Sequence, residues 1–182
     1  MPRTRPHLVS PRALLIHLRV PFQFLLAPLF LWGVLLSGQP PTSRAILGFL
    51  AFHIFGYGGG TAFNSCYDRD TGPIGGLRRP PPVPPELLPF SLAMLIAGWA
   101  LAWLVGQQFA TLYAIMAVLA ILYSHPATRF KGTPWRALAT VAVGQGFGGF
   151  LGGWLATGAP FATVAGPAGI AGLVSSATIT LG

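Results

Sequence analysis

The sequence has few charged residues and very few acids. Charged residues make up 8% of its 182 residues, against about 25% in a typical soluble chain. Three acids, Asp68, Asp70 and Glu86, stand against eleven Lys and Arg, which gives a formal net charge of +8. Such a composition cannot cover a water-soluble domain. The basic residues lie between long apolar runs, so we interpret them as membrane topology signals and expect no nucleic-acid partner.

Cysteine is almost absent as well. Cys66 is the single cysteine, which excludes an internal disulfide and a cysteine-based metal cluster. The first apolar run contains Pro21 and Pro28 and is too long for the core of a secretory signal. We therefore interpret it as an uncleaved first span.

Long apolar stretches account for most of the chain. A spanning helix needs about 20 apolar residues, and the predicted fold is an all-α polytopic membrane protein, a single transmembrane domain over residues 1–182. Its localisation is in a membrane, the cell membrane if the chain is bacterial. The six predicted spans are Leu14–Ser37, Ala45–Cys66, Leu87–Gly106, Phe109–Tyr123, Ala137–Thr157 and Ala162–Leu181.

The basic residues predict the orientation of these spans, because short cytoplasmic loops carry an excess of Lys and Arg. With the amino terminus in the cytoplasm, Arg44 alone falls on the opposite side. The ten cytoplasmic residues are then Arg3, Arg5, Arg12, Arg19, Arg69, Arg78, Arg79, Arg129, Lys131 and Arg136.

Glycines recur four residues apart in the predicted spans. The pairs are Gly56 and Gly60, Gly144 and Gly148, and Gly149 and Gly153. Small residues at this spacing allow close helix packing in a membrane, and helix packing is the role that we assign to them.

A polar cluster lies where the second predicted span ends. Asn64 and Asp68 are four residues apart and share a helix face. They offer two oxygen ligands to Mg²⁺, which takes one or two protein carboxylates and completes its shell with water and phosphate. Asp70 joins them if the helix stops at Gly72. The alternative is that these acids only cap the helix end and pair with neighbouring arginines.

A second polar cluster follows the fourth predicted span, on the same side of the membrane. Arg129 and Lys131 are cations of the kind that bind phosphate or neutralise a departing diphosphate. The alternative role for both residues is a topology signal alone.

Together, these clusters resemble the UbiA family of intramembrane prenyltransferases. The order, the spacing and the shared membrane side of the motifs carry the resemblance. The matching segments are Asn64-xxx-Asp68, Arg78-Arg79-Pro80 and Tyr123-Ser124-His-Pro126-xx-Arg129-Phe-Lys131.

The resemblance implies a nine-helix bundle, of which this chain covers about the first six helices. It also implies a second Asp-rich motif after the sixth span, so we expect the chain to be truncated before that motif and inactive alone. The third position of the family's first motif falls on Gly72 here. Whether Asp70 substitutes for that missing carboxylate is open.

The resemblance further implies Mg²⁺-dependent transfer of a prenyl group from a polyprenyl diphosphate to an aromatic or other lipid-precursor acceptor, as in quinone biosynthesis. Asn64, Asp68 and Asp70 are the expected metal-binding and catalytic residues. The expected diphosphate-binding residues are Arg78, Arg79, Tyr123, Ser124, Arg129 and Lys131.

Three other functions were weighed against the sequence, and a non-catalytic relative is the strongest of them. A degenerate relative that binds an isoprenoid lipid without transferring it would share the fold, and Gly72 favours it. A CDP-alcohol phosphotransferase needs a denser array of Asp residues than this chain holds. A transporter would carry more polar residues within its spans than Gln23, Gln108 and Gln145.

Overall fold

The computed structural model describes residues 11–68 and 71–181, and these residues form helices joined by loops, with no β-strand. Arg3, Arg5, Arg69 and Asp70 lie outside the described residues, so the predictions on them stay predictions. The all-α prediction is confirmed, and so is the polytopic membrane character, because several helices are long and apolar enough to cross a bilayer.

Seven helices, which we number in chain order, build the described part of the chain. Two of them, α3 and α6, contain a central π-helical segment. The helices are α1 (Pro11–His17), α2 (Val20–Leu36), α3 (Ser43–Asp68, π-helical over Ala51–Tyr57), α4 (Leu87–Val105), α5 (Gln107–Ser124), α6 (Pro134–Val141, Ala142–Phe147 and Gly148–Ala156, the middle segment π-helical) and α7 (Pro167–Leu181). Short 3₁₀ turns at Phe130–Gly132 and Phe161–Ala165 precede α6 and α7.

Four of the six predicted spans are matched by helices that meet the length and hydropathy of a membrane span within the described residues. These are Pro11–Leu36, which joins α1 and α2, together with α3, α4 and α5. The fifth predicted span falls on α6, whose many glycines and Gln145 lower its hydropathy. The sixth falls on α7, an apolar helix of 15 residues. Beyond four, the span count stays a prediction.

The predicted start of the sixth span was wrong by several residues. Ala162 lies in the 3₁₀ turn Phe161–Ala165, and α7 begins only at Pro167. Proline fixes its own φ at a value suited to the first helical position. It also disfavours helical geometry at the residue before it, Gly166, which is extended here. The helix therefore starts at the proline.

The first span is interrupted near its amino-terminal end. Arg19 has φ 51° and ψ 43°, a left-handed conformation that separates α1 from α2. Side chains other than glycine rarely adopt this region, because Cβ crowds the backbone. Helix α2 begins after this residue, and Arg19 becomes part of the site described below.

Backbone-to-backbone packing holds α2 against the last segment of α6. A Cβ atom built on Gly153 would overlap the carbonyl group of Phe30, and one built on Gly33 would overlap the carbonyl oxygen of Phe150. Around this contact lies a buried aromatic core that includes Phe30, Phe52, Phe109, Tyr113 and Phe150. The packing role predicted for the pair Gly149 and Gly153 is confirmed at Gly153.

This contact leads to a stability prediction. We expect Gly153→Ala to lower the free energy of unfolding by about 1–3 kcal/mol, the usual cost of overpacking a core, because the Phe30 carbonyl belongs to the backbone and cannot rotate away. Thermal unfolding in detergent would measure the change. Gly144→Ala in the same helix is the matched control, since a Cβ there meets nothing within 4 Å. Equal unfolding temperatures for both variants would contradict the packing.

Candidate active site

Two motifs that are far apart in sequence meet at one end of the helix bundle. The Asn64 side chain donates from Nδ2 to the Ser124 hydroxyl at 2.9 Å. One turn further along α3, the Lys131 ammonium group donates to Asp68 Oδ1 at 2.5 Å. The two side chains are 12% and 24% exposed, respectively. The structure thus joins the end of α3 to the end of α5 and to the turn after it.

Local backbone geometry explains how Lys131 reaches Asp68. Helix α5 ends at Ser124, because the next residue, His125, is extended and precedes Pro126. The Thr128 hydroxyl then donates to the Leu122 carbonyl at 2.8 Å and fixes the loop to the end of the helix. Arg129 adopts a left-handed conformation that starts the 3₁₀ turn carrying Lys131.

A cavity of about 380 Å³ begins at this polar end and continues into the bundle. Helices α2, α3, α5 and α6 form most of its wall. Its polar lining includes Asn64, Asp68, Ser124 and Lys131. Its apolar lining includes Phe22, Leu26, Phe52, Met116, Ala117, Leu119 and Ala120. The arrangement suits an amphiphile with an anionic head group and a hydrocarbon tail.

Comparison with models of protein families identifies a match over residues 26–181, to the UbiA prenyltransferase family. The chain belongs to the UbiA prenyltransferase family. Neither the curated proteins nor the solved structures contain a match to it. Membership in the UbiA family implies a prenyl-transfer reaction on prenyl diphosphate and lipid-acceptor substrates in a membrane, and the resemblance found in the sequence is confirmed.

The UbiA-type residues predicted from sequence divide into two groups in the structure. Asn64, Asp68, Tyr123, Ser124 and Lys131 all line the cavity. The arginines predicted to bind diphosphate, Arg78, Arg79 and Arg129, are exposed and do not line it. Asp70 lies outside the described residues. The structure thus brings the first group together, and the roles of all these residues stay predictions.

Arg19 is a cavity residue that the sequence analysis treated only as a topology signal. Its side chain is 6% exposed, and Nη2 donates to the Ser65 hydroxyl at 2.8 Å. A buried ionisable group within a membrane-spanning segment usually has a functional role. One sequence signal could have indicated it, because Arg19 is the only charged residue inside the first apolar run and lies two residues before Pro21.

The donor set at the polar end fits a magnesium ion that also binds a diphosphate. The Asn64 amide uses its N–H on Ser124, so its carbonyl oxygen is available as a ligand. Asp68 gives one oxygen to Lys131 and retains a second. Two such oxygens, with water and phosphate oxygens, match the usual Mg²⁺ shell. Within the described ranges, no three His, Cys, Asp or Glu side chains cluster as an all-protein metal site.

Gly144 and Tyr57 are further cavity residues that were not predicted. Gly144 was expected to pack against a helix, yet a Cβ there would meet open space, and the residue lines the cavity. Tyr57 donates its hydroxyl to the Gly144 carbonyl at 3.1 Å. The two residues lie in the π-helical segments of α3 and α6, respectively, so these segments face each other at the cavity.

Proposed function

We propose that this chain contributes to Mg²⁺-dependent transfer of a prenyl group from an allylic diphosphate to an aromatic or other lipid-precursor acceptor within the membrane. The observation that carries the proposal is the cavity that joins the Asp68–Lys131 pair to an apolar interior. The family supports a prenyltransferase reaction in general. The metal, the donor and the acceptor class belong to the proposal.

The diphosphate group of the donor would bind at the polar end. Lys131 would release Asp68 and turn to the phosphate oxygens, while Arg19, which also lines the cavity, offers a second cation. Charge-assisted hydrogen bonds of this kind are about twice as strong as neutral ones. Magnesium, held by Asn64 and Asp68, would supply Lewis-acid stabilisation of the charge on the leaving diphosphate.

The chain's residues would then serve one bond exchange. The carbon–oxygen bond of the allylic diphosphate breaks, and its electron pair leaves with the diphosphate, stabilised by Lys131 and Arg19. A carbon of the electron-rich acceptor forms the new bond to the allylic cation and afterwards loses its proton. The apolar residues that line the cavity, among them Phe22 and Met116, keep water from capturing the cation before the acceptor does.

We propose that the site faces the cytoplasm. With that orientation, Arg44 is the one basic residue assigned to the opposite side. In the structure, Arg19, Lys131 and Asp68 share one end of the bundle through their common cavity. Soluble diphosphate would therefore be released to the cytoplasm, and the acceptor would enter from the bilayer or the membrane surface.

Binding without transfer is the second candidate function. The chain holds three carboxylates in all, and Asp68 is the carboxylate that lines the described cavity, where Lys131 already neutralises it. We therefore propose that these 182 residues bind the donor but do not complete its transfer alone. The full product of the gene is the material in which transfer is to be measured.

Lys131 provides a direct test of the proposed head-group site, because it is the only lysine of the chain. We expect farnesyl diphosphate with Mg²⁺ to slow acetylation of Lys131 by an amine-specific reagent at least about tenfold, since the bound diphosphate would cover the ammonium group. Peptide mass spectrometry separates this label from the one on the amino terminus. That terminal amine is the internal control and should react at an unchanged rate.

The same reagent tests the orientation. A membrane-impermeant version should label Lys131 in inside-out vesicles and not in right-side-out vesicles. An acetylation rate of Lys131 that farnesyl diphosphate does not change would contradict the head-group site. Labelling of Lys131 in right-side-out vesicles would contradict the orientation.

A further inference from the structure

An aromatic floor lies at the end of the cavity away from Asp68 and Lys131. Phe52, Tyr57 and Tyr113 all line it. The Phe52 ring contacts the other two with centroid distances of 5.6 Å to Tyr57 and 5.9 Å to Tyr113, both nearly perpendicular. The Phe52 ring also packs closely against Gly152, since a Cβ atom built on that glycine would lie 3.2 Å from the ring. Phe52 thus joins the two tyrosines into one aromatic cluster at this end of the cavity.

The distance from the head-group site to this floor follows from helix geometry. Tyr57 precedes Asp68 by eleven residues on α3, and Tyr113 precedes Ser124 by eleven on α5. At about 1.5 Å rise per residue, both separations amount to roughly 16 Å. Phe52 precedes Tyr57 by five residues, in the π-helical segment of α3, and therefore lies further from Asp68. Two helices thus give the same depth independently.

The depth of the floor limits the length of the tail that fits. An isoprenoid unit adds four backbone bonds of about 1.5 Å in a zigzag, hence roughly 5 Å, so the upper edge of the floor lies about three units below the head group.

The two π-helical segments meet at the cavity near the floor. π-Helical turns are rare and often occur at functional sites. The hydroxyl of Tyr57 in one segment donates to the backbone of Gly144 in the other at 3.1 Å. Gly144 leaves open space where a side chain would project. A larger residue at this position would therefore narrow the path of the tail without disturbing a packed neighbour.

We propose that this chain selects a short allylic diphosphate, with a tail of about fifteen carbons and a limit near twenty, and that Gly144 and the floor residue Phe52 set this limit. The inference rests on the proposed function, because it assumes that the diphosphate binds at Asp68 and Lys131. It concerns the length of the donor tail, which neither the family nor the motifs specify.

Binding of a series of diphosphates tests the length limit. Dissociation constants would be measured in detergent with Mg²⁺ for allylic diphosphates of 10, 15, 20 and 40 carbons, with inorganic diphosphate as the head-group probe. We expect affinity to rise to 15 carbons, to level off by 20 and to fall at least tenfold at 40. Affinity that keeps rising to 40 carbons, while Lys131→Met weakens every diphosphate, would overturn the limit and leave the proposed function intact.

Substitutions at the two positions test which residues set the limit. Gly144→Leu should weaken binding of the 15-carbon donor at least tenfold and leave the 10-carbon donor unchanged, and Phe52→Ala should move the optimum to 20 carbons or more. Val143→Leu is the matched control, since Val143 is exposed and does not line the cavity. An unchanged length profile in folded Gly144→Leu would overturn the assignment. If no diphosphate binds the wild-type chain, the proposed function and this inference both fail.

Discussion

Asp68→Asn is expected to weaken binding of an allylic diphosphate in the presence of Mg²⁺ by about 100-fold, or ~2.7 kcal/mol. The carboxylate lines the cavity beside Asn64 and is the charged oxygen ligand that the described site offers to a metal. Replacing it with an amide removes the negative charge while retaining nearly the same shape. Asn64 and the new amide would then hold Mg²⁺ more weakly, because neither carries a charge.

The same substitution should have the opposite effect when Mg²⁺ is removed. Asp68 holds Lys131 at 2.5 Å, so its loss releases the ammonium group and removes a negative charge that repels phosphate. We expect metal-free binding to tighten by a few-fold. Titration calorimetry with and without chelator measures both quantities. Glu86→Gln is the matched control, because Glu86 is an exposed acid that does not line the cavity.

Weaker donor binding with Mg²⁺ and tighter binding without it would together distinguish a metal ligand from a structural carboxylate. A residue that only stabilised the fold would weaken binding to a similar extent under both conditions and would lower the unfolding temperature. Persistence of the full Mg²⁺ enhancement in Asp68→Asn would exclude Asp68 as the ligand. Prenyl transfer by the full gene product should fall in parallel with the Mg²⁺-dependent binding.

Arg19→Met is expected to weaken Mg²⁺-dependent donor binding at least about 30-fold, because truncating one partner of a buried charge pair costs about 2–5 kcal/mol. The guanidinium group is 6% exposed and reaches the cavity from the helix break. Methionine retains an unbranched apolar side chain but supplies no charge. The measurement is the same titration, accompanied by thermal unfolding to separate folding from binding.

A conservative variant shows whether the charge of Arg19 is responsible. Arg19→Lys should recover part of the affinity, since the ammonium group restores the charge without the planar fork of the guanidinium. Arg44→Met is the matched control, because Arg44 is exposed and does not line the cavity. Wild-type affinity in a folded Arg19→Met protein would show that Arg19 has only a structural role, its hydrogen bond to Ser65 of α3.

Much of the fold could be predicted from hydropathy alone. Runs of about 20 apolar residues are a direct requirement of the bilayer, and four of the six predicted spans coincide with helices able to cross it. Sequence was less informative for α6 and α7, where glycine and small polar residues dilute the apolar signal. The break at Arg19 depends on a single left-handed residue, and sequence patterns rarely specify such a conformation outside glycine.

The candidate site could be predicted only where its residues are neighbours on one helix. Asn64 and Asp68 lie one helical turn apart, so their shared face follows from sequence spacing. The ion pair of Lys131 with Asp68 requires the tertiary fold, because 63 residues separate the partners. Glycines illustrate the limit most clearly. Gly144 and Gly153 occur in the same kind of pattern, yet one borders the cavity and the other contacts the Phe30 backbone.

The central claim is that a donor diphosphate binds at Asp68 and Lys131 and loses its prenyl group there. The most direct measurement is prenyl transfer from labelled farnesyl diphosphate to a panel of aromatic acceptors, in membranes that contain the full product of the gene. The account predicts Mg²⁺-dependent product that Asp68→Asn abolishes and Glu86→Gln leaves unchanged. Product formation that is indifferent to both Mg²⁺ and Asp68 would contradict it.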